Sequence, residues 1–193
     1  MQVKYVNLLT YCFFKSIGCL RVCDLHMIQS ICRDFVCYNS SAMSSVVDKS
    51  LLVGRPFGGV AILVDKFTAS YCTLISRADR YVIIKYFDIL IINVYMPCKS
   101  TANYQDVFDD TLSRIINIVN DTVFESIVCG GDFNVDFNVG RGLHGTLSAF
   151  MQELHLIAAD TLLPVSGMKS YRHASQNASS LIDHFFCFYR PIC

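Results

Sequence analysis

Two apolar runs, residues 81–87 and 89–95, stand end to end in the middle of the chain, parted only by Asp88. Both are rich in β-branched and aromatic residues, which favour extended, half-buried backbone. Pro97 stops the second run, because proline has no N–H to give to a ladder. These runs commit the chain to a sheet core. Shorter strand signals surround them: residues 60–64, residues 71–76, an apolar strand over 126–129 that ends at Gly130-Gly131, and a last strand over 181–188.

Helical spacing appears in three places. Tyr104, Val107, Phe108, Leu112, Ile115, Ile116 and Val119 recur at i, i+3/i+4, after a cap at Ser100 or Thr101. A second helix is expected from about Thr146, with Leu147, Phe150, Met151, Leu154 and Ile157 inward. Residues 24–35 carry Leu25, Ile28, Cys32 and Phe35 on one stripe, and residues 38–50 read as a Ser-rich loop. Strands and helices mix without strict alternation, which predicts an α+β or mixed α/β class.

Composition narrows the function. The chain has 193 residues, 53% hydrophobic and 17% charged, enough for one domain with a sizeable core. Intrinsic disorder is excluded, since it needs low hydrophobicity and high net charge. Formal net charge is zero, so a strongly basic body that holds nucleic acid by bulk charge is excluded; an enzyme with a local basic surface is not. The ten cysteines contain no C-x-x-C spacing, so no zinc site is expected, and several lie inside apolar runs as small buried hydrophobes. Cys129 and Cys187 are expected to be buried and unpaired. No run of about 18 uncharged apolar residues exists, so no membrane is expected as a partner. A reduced protein of the nucleus or cytoplasm, not secreted, fits this usage.

Three short constellations carry chemistry. Gly130-Gly131-Asp132-Phe133-Asn134 follows a strand. In extended chain Asp132 and Asn134 share a face and Phe133 points away into the core. A carboxylate beside an amide suits proton transfer and orientation of a nucleophile; the same residues also make a turn that bonds its own backbone. Asn93-Val94-Tyr95-Met96-Pro97 ends another strand, where Tyr95 offers a hydroxyl to a phosphate or serves as a cross-strand aromatic. In Ser180-Leu181-Ile182-Asp183-His184, Asp183 stands among apolar residues and needs a partner, since burying it alone is costly. Adjacent strand residues face opposite ways, so His184 is read as a structural imidazole.

The order of these phrases resembles the endonuclease/exonuclease/phosphatase superfamily. The wording of GRPFGGVAIL, INVYMP, GGDFNVDF and SSLIDHFF is most similar to the endonuclease domain of LINE-type non-LTR retrotransposon proteins. The likeness is clearest over residues 53–188, thinner over 24–52, and lost in residues 1–23. It implies a single domain over residues 1–193, a four-layer sandwich of two packed mixed sheets flanked by helices and incomplete at both ends. It also implies cleavage of DNA phosphodiesters with Mg²⁺, or Mn²⁺ in its place, and a reverse-transcriptase domain in the parent protein. By resemblance, Tyr95 contacts the scissile phosphate and Asp132 activates the attacking water. Asn134 helps orient that water, Asp183 orients a catalytic histidine, and Ser170 and Ser180 support the site. Asp132 and Asn134 are the residual metal contacts.

Two parts of that pattern are absent. A metal-binding glutamate belongs near the N-terminus, yet no glutamate precedes Glu125, and Asn7 is a poor match for the early asparagine. The catalytic histidine belongs to a Ser-Asp-His loop that these residues do not contain. The expectation is a truncated or altered copy with impaired turnover. A non-catalytic, weakly nucleic-acid-binding remnant and a phosphatase of the same superfamily are the alternatives.

Overall fold

The computed structural model describes residues 13–16, 33–41, 59–136, 140, 142–159, 169–173 and 178–189. Two compact units make up the chain, Met1–Tyr95 and Met96–Cys193.

In the first unit, β1 (Phe13–Ser16), β2 (Phe35–Ser41) and β3 (Gly59–Asp65) form an antiparallel sheet in the order β1-β3-β2. A short helix, α1 (Lys66–Ala69), follows, capped by the Asp65 carboxylate, which accepts from Phe67 and Thr68 N–H at 3.0 Å. Three strands then run as a meander: β4 (Cys72–Ala78), β5 (Tyr81–Tyr86) and β6 (Ile89–Tyr95), antiparallel throughout, with a bulge between Leu74 and Ser76. Only Phe87 and Asp88 separate Tyr86 from its partner Ile89. The apolar runs that commit the chain to a sheet are therefore neighbours in it.

The β1-β3-β2 sheet packs on this meander. Their shared interior holds Val60, Ile62, Val64, Val82, Ile84, Ile91 and other side chains exposed by 1% or less. Asn93 is a polar pin in that interior: its Nδ2 donates to the Ala61 carbonyl across the layers at 2.9 Å. β6 is buried from Ile89 through Val94 without alternation, the pattern of a strand covered on both faces.

The second unit opens with α2 (Tyr104–Asn120), then β7 (Ser126–Asp132), α3 (His144–Glu153) and the two-residue β8 (Ile157–Ala158). A small hairpin pairs β9 (Tyr171–His173) with β10 (Ala178–Ser180), and β11 (Asp183–Tyr189) completes the unit. β11 lies between β7 and β8, antiparallel to both. Phe108, Leu112, Ile115 and Val119 form the buried stripe of α2, as their spacing predicts. Phe133 and Phe186, both fully buried, meet edge to face at 5.0 Å.

The result is a mixed α/β fold with two packed sheets and few helices. Several local expectations are corrected. Residues 38–41 belong to β2 and not to a loop, because β3 offers them a ladder that local composition does not reveal. Phe35 starts the same strand; the rest of the expected 24–35 helix, apart from the turn at 33–34, falls outside the described residues. The cap of α2 is Asn103, in the left-handed region at φ 52° and without a side-chain bond, while Ser100 and Thr101 sit in the preceding turn. Met151 is half-buried, and Ile157 is on β8 and 52% exposed. Cys129 is buried and free as expected, but Cys187 is free and only half-buried.

Candidate active site

β7 runs through Gly130-Gly131 to Asp132, beyond the predicted end at the glycines, because β11 pairs with it along its length. Each glycine has its own reason. A Cβ on Gly130 would stand 2.6 Å from the Phe185 ring, which covers the backbone there. Gly131 has φ 136°, which side chains rarely adopt.

The register places Asp183 directly opposite Asp132. Asp183 is thus the first residue of β11 and not a mid-strand residue, and its costly carboxylate has found another carboxylate as its cross-strand neighbour. Burial pushes the Asp132 carboxyl up to about 6; the Asn134 N–H opposes this, and the charge of Asp183 adds to it. A carboxyl poised there changes protonation close to neutral pH, as a general base must.

The turn after Asp132 combines both readings of the motif. Asn134 N–H donates to Asp132 Oδ1 at 2.9 Å, the backbone-bonding turn. Asn134 has φ 52°, so the extended-chain argument for a shared face does not apply to it. Its place is set instead by Nδ2, which donates to the Met96 carbonyl at 2.9 Å, while Met96 N–H donates to the Asp132 carbonyl at 2.8 Å. That leaves Asn134 Oδ1 as the acceptor for a ligand. Phe133 points into the core as expected, and its N–H donates to the Ile182 carbonyl.

The approach to Asp183 is held by side-chain oxygens. Ser170 Oγ accepts from Ile182 N–H at 3.0 Å and Asp183 N–H at 3.1 Å, and Ser170 N–H donates to the Ser180 carbonyl. Asp136 Oδ2 accepts from Leu181 N–H at 3.3 Å. Ser170 therefore supports Asp183 by fixing its backbone. His184 faces the other way. It is 3% exposed, its Nε2 lies 2.7 Å from the Val135 carbonyl, and its ring stacks near Phe186, which is the structural role expected.

Tyr95 ends β6 in the first unit. Its N–H donates to the Arg80 carbonyl at 2.9 Å, Arg80 Nη1 donates back to the Tyr95 carbonyl at 3.3 Å, and the guanidinium lies 5.7 Å from the ring centroid. Arg80 was not among the expected site residues.

A cavity of about 300 Å³ in the second unit is lined by Lys99, Tyr104, Asn134, Asp136, Ser180 and Ile182, among others. It joins Asn134 and Ser180 to three residues missed in the sequence. Asp136 sits in the GGDFNVDF phrase and could have been suspected there. Tyr104 was read as helix stripe, and Lys99 carries no local signal. Asp132, Asp183 and Ser170 do not line this cavity.

Among the described residues no three His, Cys, Asp or Glu side chains gather as a metal cluster. The Asp132–Asp183 pair nevertheless fits a hard divalent cation, which takes one or two carboxylates and fills its shell with water and phosphate oxygens. Among the described residues no helix is long and apolar enough to cross a membrane.

This fold is that of endonuclease/exonuclease/phosphatase proteins. The chain is similar to the 3′ phosphatase NExo from Neisseria, solved with a product DNA hairpin: 14% identity, TM-score 0.57, covering 96% of this chain and 80% of that one. It is similar to an endonuclease/exonuclease/phosphatase family protein from Bacteroides thetaiotaomicron, at 14% identity and TM-score 0.56, over 96% and 69%. A mannosyl-6-phosphatase of the same organism is also similar, at 14% identity and TM-score 0.58, over 96% and 73%. No protein-family model and no curated protein matches the sequence.

Proposed function

We propose that this chain is a metal-dependent phosphodiester-hydrolysing domain that acts on DNA, of LINE-type non-LTR retrotransposon origin, with low turnover on its own. The observation that carries the reading is the cross-strand pair Asp132–Asp183, with Asn134 and Ser170 fixed around it. Phrase wording adds the DNA-directed origin.

In this reading Asp132 accepts the proton of the attacking water, and its raised carboxyl keeps that transfer near neutral. Asn134 offers Oδ1 to the water or to a phosphoryl oxygen. Tyr95 gives its hydroxyl to the phosphate. Asp183 sets the charge that Asp132 feels, and Ser170 holds Asp183 in register. Asp132 and Asp183, with Asn134, would hold Mg²⁺ or Mn²⁺, which supplies charge stabilisation for the phosphoryl oxygens. Low turnover is part of this proposal because no glutamate precedes Glu125 to serve as the main metal ligand that the resemblance implies. A general acid–base group alone contributes about 10²–10⁴-fold.

The test is nicking of supercoiled plasmid beside phosphate release from mannose 6-phosphate, with each metal. The expected result is Mg²⁺ nicking near the assay floor and weak Mn²⁺ nicking that Asp132→Ala abolishes. Nicking that persists in Asp132→Ala overturns the role of Asp132. Phosphate release without nicking overturns the DNA-directed reading in favour of a phosphatase.

A further inference from the structure

The first unit carries an exposed aromatic cluster. Phe67 on α1 is 77% exposed, Tyr71 in the turn after it 47%, Leu74 on β4 39%, and Phe87 between β5 and β6 55%. The rings are ordered against each other. Phe67 meets Tyr71 edge-on at 5.8 Å, Tyr71 stacks on Phe87 at 5.2 Å and 24°, and Tyr86 meets Phe87 edge-on at 4.7 Å. Such a set is preorganised, so binding through it loses little side-chain freedom.

Phe87 is the unusual member. It has φ 49° in a two-residue turn, a position where Asn, Asp or Gly is favoured and a bulky side chain is an outlier. Neither the turn nor the core asks for a phenyl ring there.

Charge selects the occupant. Lys85 is paired with Asp88 at 3.6 Å, and the Asp65 carboxylate caps α1. Among the described residues, Lys66 and Arg33, the latter in the turn whose Asp34 carbonyl accepts the Lys66 N–H, are the other cations beside α1, few for a phosphate-rich strand. A near-neutral apolar patch has nothing to repel its own copy across a two-fold axis, and a chain of zero net charge resists self-association least. Area agrees. The four side chains expose roughly 450 Å², taking about 150–250 Å² for a whole aromatic side chain. Each partner of a standard interface contributes about 800 Å², of which about 65% is apolar in homodimers, or roughly 500 Å².

We propose that Phe67, Tyr71, Leu74 and Phe87 form the centre of an isologous interface with a second copy of this chain. Sedimentation velocity over a concentration series tests it with the full chain, Phe87→Asn, and Phe67→Ser/Phe87→Asn. Asparagine tolerates positive φ, so Phe87→Asn keeps the turn and its thermal melt should not fall. The expected result is a monomer–dimer equilibrium that stops at the dimer, with Kd raised at least about tenfold by Phe87→Asn and further by the double variant. A wild-type chain that stays monomeric, grows without limit, or dimerises as well in both variants overturns the proposal. So does loss of single-stranded oligonucleotide binding in the variants without any change in sedimentation, which would make the patch a base-stacking surface.

Discussion

Replacing Asp132 by Asn should make the protein more stable while removing its chemistry. The carboxyl of Asp132 is pushed from 3.8 to about 6, by burial first and by the Asp183 charge in addition. Each unit of such a difference corresponds to about 1.4 kcal/mol. Holding the ionised group at neutral pH therefore costs about 3 kcal/mol at most, and about 1–3 kcal/mol once partial solvent screening is allowed for. The direction follows from proton binding. Between about pH 4 and pH 6 the folded chain holds this proton more tightly than the unfolded chain, so stability falls as pH rises through that window. Above it the loss is complete and constant. Asparagine keeps an Oδ1 to accept the Asn134 N–H and carries no charge to bury or to oppose Asp183. Urea unfolding in EDTA at several pH values from 4 to 8 would show Asp132→Asn gaining about 1–3 kcal/mol over the wild type at pH 7.5, with the gap closing towards pH 4. Equal or lower stability of the variant at pH 7.5, with parallel pH slopes, would refute the claim that Asp132 is held ionised at a cost.

Three further outcomes follow from local geometry. Brief alkylation at pH 7 should label Cys98, whose thiol the Ser100 hydroxyl draws below its usual range, and spare Cys129, which burial pushes up to about 12; peptide mass spectrometry after the pulse reads both sites, and early labelling of Cys129 would contradict the packing. Ser170→Ala removes the acceptor of two backbone N–H groups and should cost about 1–2 kcal/mol in a thermal melt, while Ser170→Thr keeps the hydroxyl and most of the stability. Gly131→Ala should cost about 1–3 kcal/mol in backbone strain at φ 136°, read in a thermal melt; Gly130→Ala should also lower the melt, because its Cβ would stand 2.6 Å from the Phe185 ring and force that ring to shift.

What local sequence determined here is the strand runs over 60–64, 81–86 and 89–95 (Phe87, read as the end of the first long run, is in the turn), the buried stripe of α2, the inward Phe133 and the structural His184. Each depends on periodicity or on which way neighbouring side chains face, and both are properties of a few consecutive residues. The fate of Asp183 was not of that kind. Sequence showed a carboxylate needing a partner, but only the β7–β11 register put Asp132 opposite it, and register is a choice between distant segments. The same holds for Asn134, whose position comes from the Met96 carbonyl and not from alternation along an extended strand. Residues 38–41 were loop-like by composition and became strand because β3 lay beside them. Lys99, Tyr104 and Asp136 acquired a common cavity only when α2 and the β7 and β10 ends came together. Phe67, Tyr71, Leu74 and Phe87 look like ordinary core residues in the sequence, and only the fold, by leaving them outside, gives them a different meaning. Hydrophobic spacing says that a side chain can be buried; whether it is depends on what packs against it, which no local stretch contains.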